Sequence, residues 1–345
     1  MPIVGIAAEF NPFHSGHAEH IAATKSLLGG DALVIVVMSG NFVQRGDIAV
    51  YGKRARANAA VHCGADLVLE LPAAVTLSSA SRFAAGAVNL LDALGCVEYL
   101  SFGSESGDLN QLNGAVELLN QIGVDERIRY ELRSGVSYAS ARLKALEFVS
   151  REDLGYLRQP NNILAVEYLQ ALRSTNILPL TIQRGNADDT ASALRKRLSV
   201  GGNIADSLPI AAAKIFEAED KRGAGPVFIE ALERPVLAKL RCMTADDFDA
   251  LPDATEGLGN RLYGAAQKSE SLRELFELTK TKRYAMSRIR RMVLCAFLGI
   301  RADDCQQAPK RAAILASGKR GRKIKTALPL VTGSRDGLHE WLKSL

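Results

Sequence analysis

Two histidines, His14 and His17, stand three residues apart with Gly16 between them, just after an apolar run of strand length that ends at Phe10. A turn at Asn11-Pro12 separates that run from the histidines, and a segment of helical period follows over residues 18–28. Strand, tight loop and helix N-terminus in this order make an anion site. The first-turn amides lack intrahelical partners, and they and the helix dipole point at whatever sits there. Imidazoles spaced i, i+3 can both reach a bound phosphate chain, and Gly16 lets a flat group approach the backbone closely. The pattern points to a nucleoside triphosphate site built around histidines in place of a Lys-bearing P-loop. The same pair could ligate a metal, but neither a Cys pair nor an HExxH arrangement accompanies it, and no metal site is assigned. Glu9 and His20 are candidate neighbours of the site.

These residues need a scaffold, and the first half of the chain supplies the pattern of one. Apolar runs at 3–8, 32–38, 67–71 and 97–102 alternate with helical periods at 17–28, 51–63 and 80–94. Runs this apolar on both faces fit a parallel sheet covered by helices. Gly and Ser cluster where the runs end, so the loops at 9–17, 39–47 and 101–107 are expected to line one cleft at the carboxyl edge of the sheet. Helical pattern fills 109–149 and 162–173, the latter capped near Asn162. A late strand at 178–183 ends at Arg184, and a short basic helix follows at 191–198. Beyond Gly201-Gly202-Asn203 the pattern is helical to about residue 300. The expected architecture is α/β: a Rossmann-like domain over residues 1–200, then an all-helical, basic domain over 201–345.

Other charged positions are less specific. Gln44-Arg45 on a strand-end loop could meet a carboxylate, a phosphate or a base. Lys53, with Arg54 and Arg56, opens a helix where cations oppose the dipole, so Lys53 is a candidate for catalytic work on an anion. Ser192, Arg195 and Lys196 open another helix and suit a second phosphate contact.

The whole chain of 345 residues is long enough for two cores. With 47% hydrophobic and 23% charged residues it has ordinary globular composition. No apolar run approaches the ~18–20 residues needed to cross a bilayer, and the opening residues do not read as a signal peptide. Five scattered cysteines, without CxxC pairing, read as reduced thiols of a cytoplasmic protein and exclude a disulfide scaffold. The net charge of +5 is modest, but basic residues gather in 279–291 and 310–325. Two such clusters behind a nucleotide site favour RNA as the partner.

Longer motifs carry a resemblance. Ala8-Glu-Phe-Asn-Pro-Phe-His-Ser-Gly-His17 contains the HxGH signature of the nucleotidylyltransferase superfamily. With it stand Met38-Ser-Gly-Asn-Phe-Val-Gln-Arg-Gly-Asp47, Gly64-Ala-Asp-Leu-Val-Leu-Glu-Leu-Pro72 and Pro160-Asn-Asn-Ile-Leu164. Glu256-Gly-Leu-Gly-Asn-Arg261 and Thr281-Lys-Arg-Tyr284 follow. The set resembles the bacterial tRNA(Met) cytidine acetate ligase family from residue 1 to about 330.

The resemblance implies that ATP and acetate form acetyl-adenylate, and that the acetyl group passes to N4 of the wobble cytidine of elongator tRNA(Met). It also implies an ATP site made of Ile6, Ala7, Ala8, Glu9, Phe10, Asn11, Pro12, Phe13, His14, Ser15, Gly16 and His17, with His20, Gly103, Asn162 and Arg184 beside them. Catalytic roles would fall to His14, His17 and, by its place at a helix N-terminus, Lys53, with Mg2+ arriving on the nucleotide. Lys282, Arg283, Arg288, Arg290 and Arg291 would hold the tRNA backbone. No membrane or obligate protein partner is implied. After Arg184 the sequence continues Gly185-Asn-Ala-Asp-Asp, where the family has a different turn, and the C-terminus is short for the family. Two other readings stay open: a small-molecule adenylyltransferase, and an RNA-binding protein with a degenerate nucleotide site.

Overall fold

The computed structural model describes residues 1–150, 153–185, 190–306 and 309–332. The segment after Gly185 and the end of the expected second domain lie partly outside the described residues. The main sheet contains β1 (Ile3–Ala8), β2 (Leu33–Ser39), β5 (Leu67–Leu71), β6 (Tyr99–Ser104), β7 (Leu178–Gln183), β8 (Ala312–Ser317) and β9 (Leu330–Thr332). A separate hairpin consists of β3 (Phe42–Val43) and β4 (Asp47–Ile48). The strand order is β7-β6-β1-β2-β5-β8-β9. The pairs from β7 through β5 are parallel, with β1 held to β2 from Ile3↔Leu33 to Ala8↔Met38. The chain runs outward from β1 through β2 to β5, then returns to β6 on the other side of β1. That reversal puts the crevice at the carboxyl end of β1, where the histidine loop lies.

Burial explains why β2 is apolar throughout. Val34, Val36 and Met38 enter one core, whereas Ile35 and Val37 enter the other. Each face of the strand meets a layer of helices, so alternation with polar residues would leave buried groups unpaired. Gly5 allows the helix Ala80–Ala93 to approach β1: a Cβ there would stand 2.6 Å from Leu91 Cδ1.

Two expectations need correction. The packing does not change at residue 200. Leu194, Leu198, Leu208 and Phe216 belong to the core on one face of the sheet, so the helices Ala191–Ser199 and Ile210–Lys221 are part of the first domain. The helical core proper draws on residues from Val227 to Ala296. Nor is the C-terminal part all helical, because β8 returns to pair antiparallel with β5 and carries β9 with it. The helical unit is thus an excursion from the sheet domain. The β3–β4 hairpin fastens the two, since Phe42 and Ile48 enter the helical core.

Candidate active site

The histidine loop is shaped by Phe10, whose φ of 48° is rarely adopted by an L residue. The turn buries the Phe10 ring against Phe13 and His17, with centroids 4.9 Å away in each case. His14 is the N-cap of the helix Ser15–Leu27. Its Nδ1 accepts the Gly16 N–H at 3.1 Å, and His17 Nδ1 accepts the His14 N–H at 3.2 Å. This is a capping box made from two imidazoles. The first-turn amides are therefore not all left for a ligand, as the strand–loop–helix pattern alone suggested. A neutral ring whose Nδ1 accepts carries its proton on Nε2. Both histidines consequently offer an Nε2–H donor from rings fixed by the backbone, their centroids 3.9 Å apart.

Electrostatics keeps the His17 and His20 rings neutral. Burial, followed by the neighbouring His14, Arg184 and His20, holds His17 well below the ordinary histidine range. Burial and then Arg184 lower His20 to about 4, partly opposed by its bond to Ser101. His20 Nε2 lies 3.1 Å from Ser101 Oγ on β6, and Thr24 Oγ1 lies 2.7 Å from the same hydroxyl. The permanent positive charge comes from Arg184, just beyond β7, whose amide bonds to the Ser104 carbonyl at 2.8 Å. Its side chain crosses Gly103, where a Cβ would stand 3.0 Å from Arg184 Cγ. His14, His17, His20, Gly103 and Arg184 are thereby gathered at one end of the sheet.

Other candidate residues have different tasks. Asn162 is buried, its Oδ1 accepting the amides of Glu105 and Ser106 at 2.9 and 3.1 Å. Its Nδ2 donates to the Tyr156 carbonyl and to Gln159. With its amide committed on both ends, it shapes the 105–107 loop instead of offering a side-chain contact to nucleotide. Lys53 is buried and held by both Glu70 oxygens at 2.7 and 2.9 Å, which argues against the expected catalytic role. Arg54 reaches the Leu315 carbonyl on β8. Among Ser192, Arg195 and Lys196, Arg195 turns to the loop, donating to the Asn11 carbonyl at 2.7 Å.

Arg56 was legible only as one cation of a group. It is fully buried and donates to the carbonyls of Glu9, Ser39, Gly40 and Tyr51, binding three strand-end segments together. The signal was an arginine in a helix, Lys53–His62, whose alanines are buried nearly all round. Such a guanidinium must be bonded where it lies.

The expected tRNA contacts divide in the same way. Arg291 is buried, 3.8 Å from Asp253 and 3.3 Å from the Gln44 carbonyl, so it joins the two units and is not a surface phosphate ligand. Arg288 is paired with Glu256 at 2.8 Å and bonds Thr255. Arg290 lies over Phe276 at 5.5 Å. Lys282 is exposed and Arg283 half-buried, just before the helix Met286–Leu298.

A parallel sheet with paired imidazoles at the switch point of its strands defines a nucleotide-binding site of the nucleotidyl-transfer type. The model of the HIGH Nucleotidyl Transferase family matches residues 1–331. The sequence is 36% identical over 369 residues to the tRNA(Met) cytidine acetate ligase of Acetivibrio thermocellus, covering 96% of this chain and 88% of that one. It is 37% identical over 348 residues to the ligase of the same name from Fervidobacterium nodosum, covering 95% and 81%. The fold superposes on the crystal structure of Thermotoga maritima TmcAL bound with alpha-thio ATP, with a TM-score of 0.91 and 34% identity. That match covers 99% of this chain and 87% of the other. The chain belongs to the HIGH nucleotidyl transferase family and, within it, to the tRNA(Met) cytidine acetate ligase family.

Proposed function

We propose that this chain is an ATP-dependent ligase that activates acetate as acetyl-adenylate and transfers the acetyl group to N4 of the wobble cytidine of elongator tRNA(Met). The observation that carries the reading is the pair of neutral, backbone-fixed imidazoles beside Arg184, in a chain of this family.

Acetate is already a carboxylate at neutral pH and needs no base for attack. One of its oxygens attacks the α-phosphorus of ATP, and pyrophosphate leaves with the electrons of the broken P–O bond. His14 and His17 serve as fixed Nε2–H donors to the phosphate oxygens, where charge develops. Arg184 supplies the cation. A neutral imidazole held in this tautomer presents Nε2–H while its Nδ1 stays bonded to the backbone amide. Lys53, a catalytic candidate by its place at a helix N-terminus, is read here as an ion-paired support of the strand ends. Mg2+ would arrive on ATP, held by phosphate oxygens and water. Among the described residues, no group of three His, Cys, Asp or Glu side chains is disposed to hold a metal.

In the second step the exocyclic amine meets the mixed anhydride. A wobble cytidine is single-stranded and can be splayed into a cleft. Lys282 and Arg283 are read as contacts to the RNA backbone. No helix among the described residues is long and apolar enough to cross a membrane. All five cysteines are free thiols. With a tRNA substrate, the place of work is the cytoplasm.

The first half-reaction is tested without RNA, as acetate-dependent exchange of labelled pyrophosphate into ATP. Exchange that requires acetate supports activation at this site. Its absence, with ATP still bound, would contradict it.

A further inference from the structure

A second constellation of charged groups lies at the seam between the sheet domain and the helical unit. In the β3–β4 hairpin Phe42 pairs with Ile48 and Val43 with Asp47. Successive side chains of a strand point to opposite faces. Phe42 and Ile48 enter the helical core, so Asp47 stands on the other face of the hairpin. Three charged groups face it: Arg195 from the helix Ala191–Ser199, Arg290 from the helix Met286–Leu298, and Glu230 from the turn Ile229–Leu232. Arg195 is the residue that holds the Asn11 carbonyl in the histidine loop. Arg195 and Arg45 also lie within electrostatic reach of Glu9.

The turn between the two strands is gripped from both units. Glu9 Oε1 accepts the Gln44 N–H at 2.5 Å, and Arg291 donates to the Gln44 carbonyl at 3.3 Å. Gly46, at φ +75°, lies so close to the basic helix that a Cβ would stand 2.6 Å from Arg290 Cβ. The hairpin thus holds Asp47 between the nucleotide loop and the basic helix Met286–Leu298. Burial raises the Asp47 carboxyl above the ordinary aspartate range, and Ile48 N–H and the arginines partly oppose this. A carboxylate so placed is a better proton acceptor than one in water.

We propose that Asp47, with Arg45 and Arg195, forms the acceptor subsite for the cytosine, Asp47 being the group that receives the N4 proton. The inference rests on the ligase reading above. Cytosine presents an N4–H donor beside the N3 and O2 acceptors. A carboxylate next to guanidinium groups complements that edge, whereas uracil would set its O4 against the carboxylate. As N4 attacks the acetyl carbon, an N–C bond forms. The bond from that carbon to the phosphate oxygen breaks, AMP leaves with its electron pair, and the N4 proton passes to Asp47.

The test uses full-length D47N and D47E, each assayed for acetate-dependent pyrophosphate exchange, tRNA binding and acetyl transfer to tRNA. For D47N the expected result is exchange close to wild type and tRNA binding weakened by no more than about tenfold, with kcat for transfer lowered about 100-fold, the usual scale of a lost general base. D47E keeps a carboxylate and should recover part of the transfer rate. The acid limb of the wild-type transfer profile should be absent in D47N. Equal loss of exchange and transfer in D47N, or unchanged transfer, overturns the proposal. A wild-type protein that neither exchanges nor acetylates overturns the ligase reading instead, and the two failures are thereby distinguished.

Discussion

His14 and His17 each accept a backbone amide through Nδ1, and on the proposed reading each turns Nε2–H to the nucleotide. Replacing His17 with Ala removes one such donor. Acetate-dependent exchange should fall by about 100- to 1000-fold, the scale measured for single donors to a developing oxyanion. A fall of less than tenfold would argue that the donor does not act on the reacting phosphate. The pH dependence of stability has a definite sign. His20 titrates at about 4 in the folded chain, against an ordinary value of 6.5. Below 6.5 the unfolded chain therefore binds the proton more readily than the folded one. The stability that His20 contributes is full above pH 6.5 and is lost as pH falls toward 4. It amounts to roughly 3 kcal/mol. Urea unfolding between pH 7 and 4 should show that decline, shallower in His20→Gln. At this scale the sequence was informative where chemistry is local. Residue types and spacing marked His14, Gly16 and His17, but the commitments of Asn162 and Lys53 depend on Glu105 and Glu70, partners more than ten residues away in the chain.

Two elements fix the geometry of the site, the Arg56 helix and the β3–β4 hairpin. Arg56 supplies charge-assisted bonds to four carbonyls at the strand ends. Arg56→Met would leave buried carbonyls without a donor and should cost at least about 3 kcal/mol by chemical unfolding. A cost below about 1 kcal/mol would mean that water replaces the guanidinium. Gly46→Ala places a Cβ on a residue in the left-handed region and against the backbone of Arg291. It should destabilise the protein by about 1–3 kcal/mol. β1 and β2 were legible because each is a continuous apolar run, and the helices because of their period and caps. The short β8 segment, Ala312–Ser317, was not, because its pairing partner β5 lies more than two hundred residues earlier. An amphipathic period also says which face is buried, yet it does not reveal that Arg291 lies on that face.

At the scale of the whole molecule, a helical unit is inserted between β7 and β8 and pinned to the nucleotide loop by the hairpin. On the proposed reading, this arrangement would put two binding events on either side of one seam, nucleotide at the sheet edge and RNA on the helical unit. RNA affinity should depend on the cations that remain accessible, not on all the basic residues of the cluster. Lys282→Ala with Arg283→Ala should weaken tRNA binding and reduce the slope of log K against log salt by about 0.7–0.9 for each phosphate no longer neutralised. Arg291→Ala should instead lower thermal stability, because it removes a buried cation that bonds the Gln44 carbonyl and shares Asp253 with Arg82. An unchanged salt slope in the double variant would place the RNA elsewhere.

Transfer of acetate to a cytidine in tRNA is measured directly by incubating the protein with ATP, Mg2+, labelled acetate and bulk tRNA, then digesting the RNA to nucleosides. The expected result is label in N4-acetylcytidine only, dependent on ATP and formed at least about 100-fold more slowly by His17→Ala. Acetate-dependent pyrophosphate release with no label in RNA would contradict the acceptor, and tRNA binding without either product would contradict the enzyme.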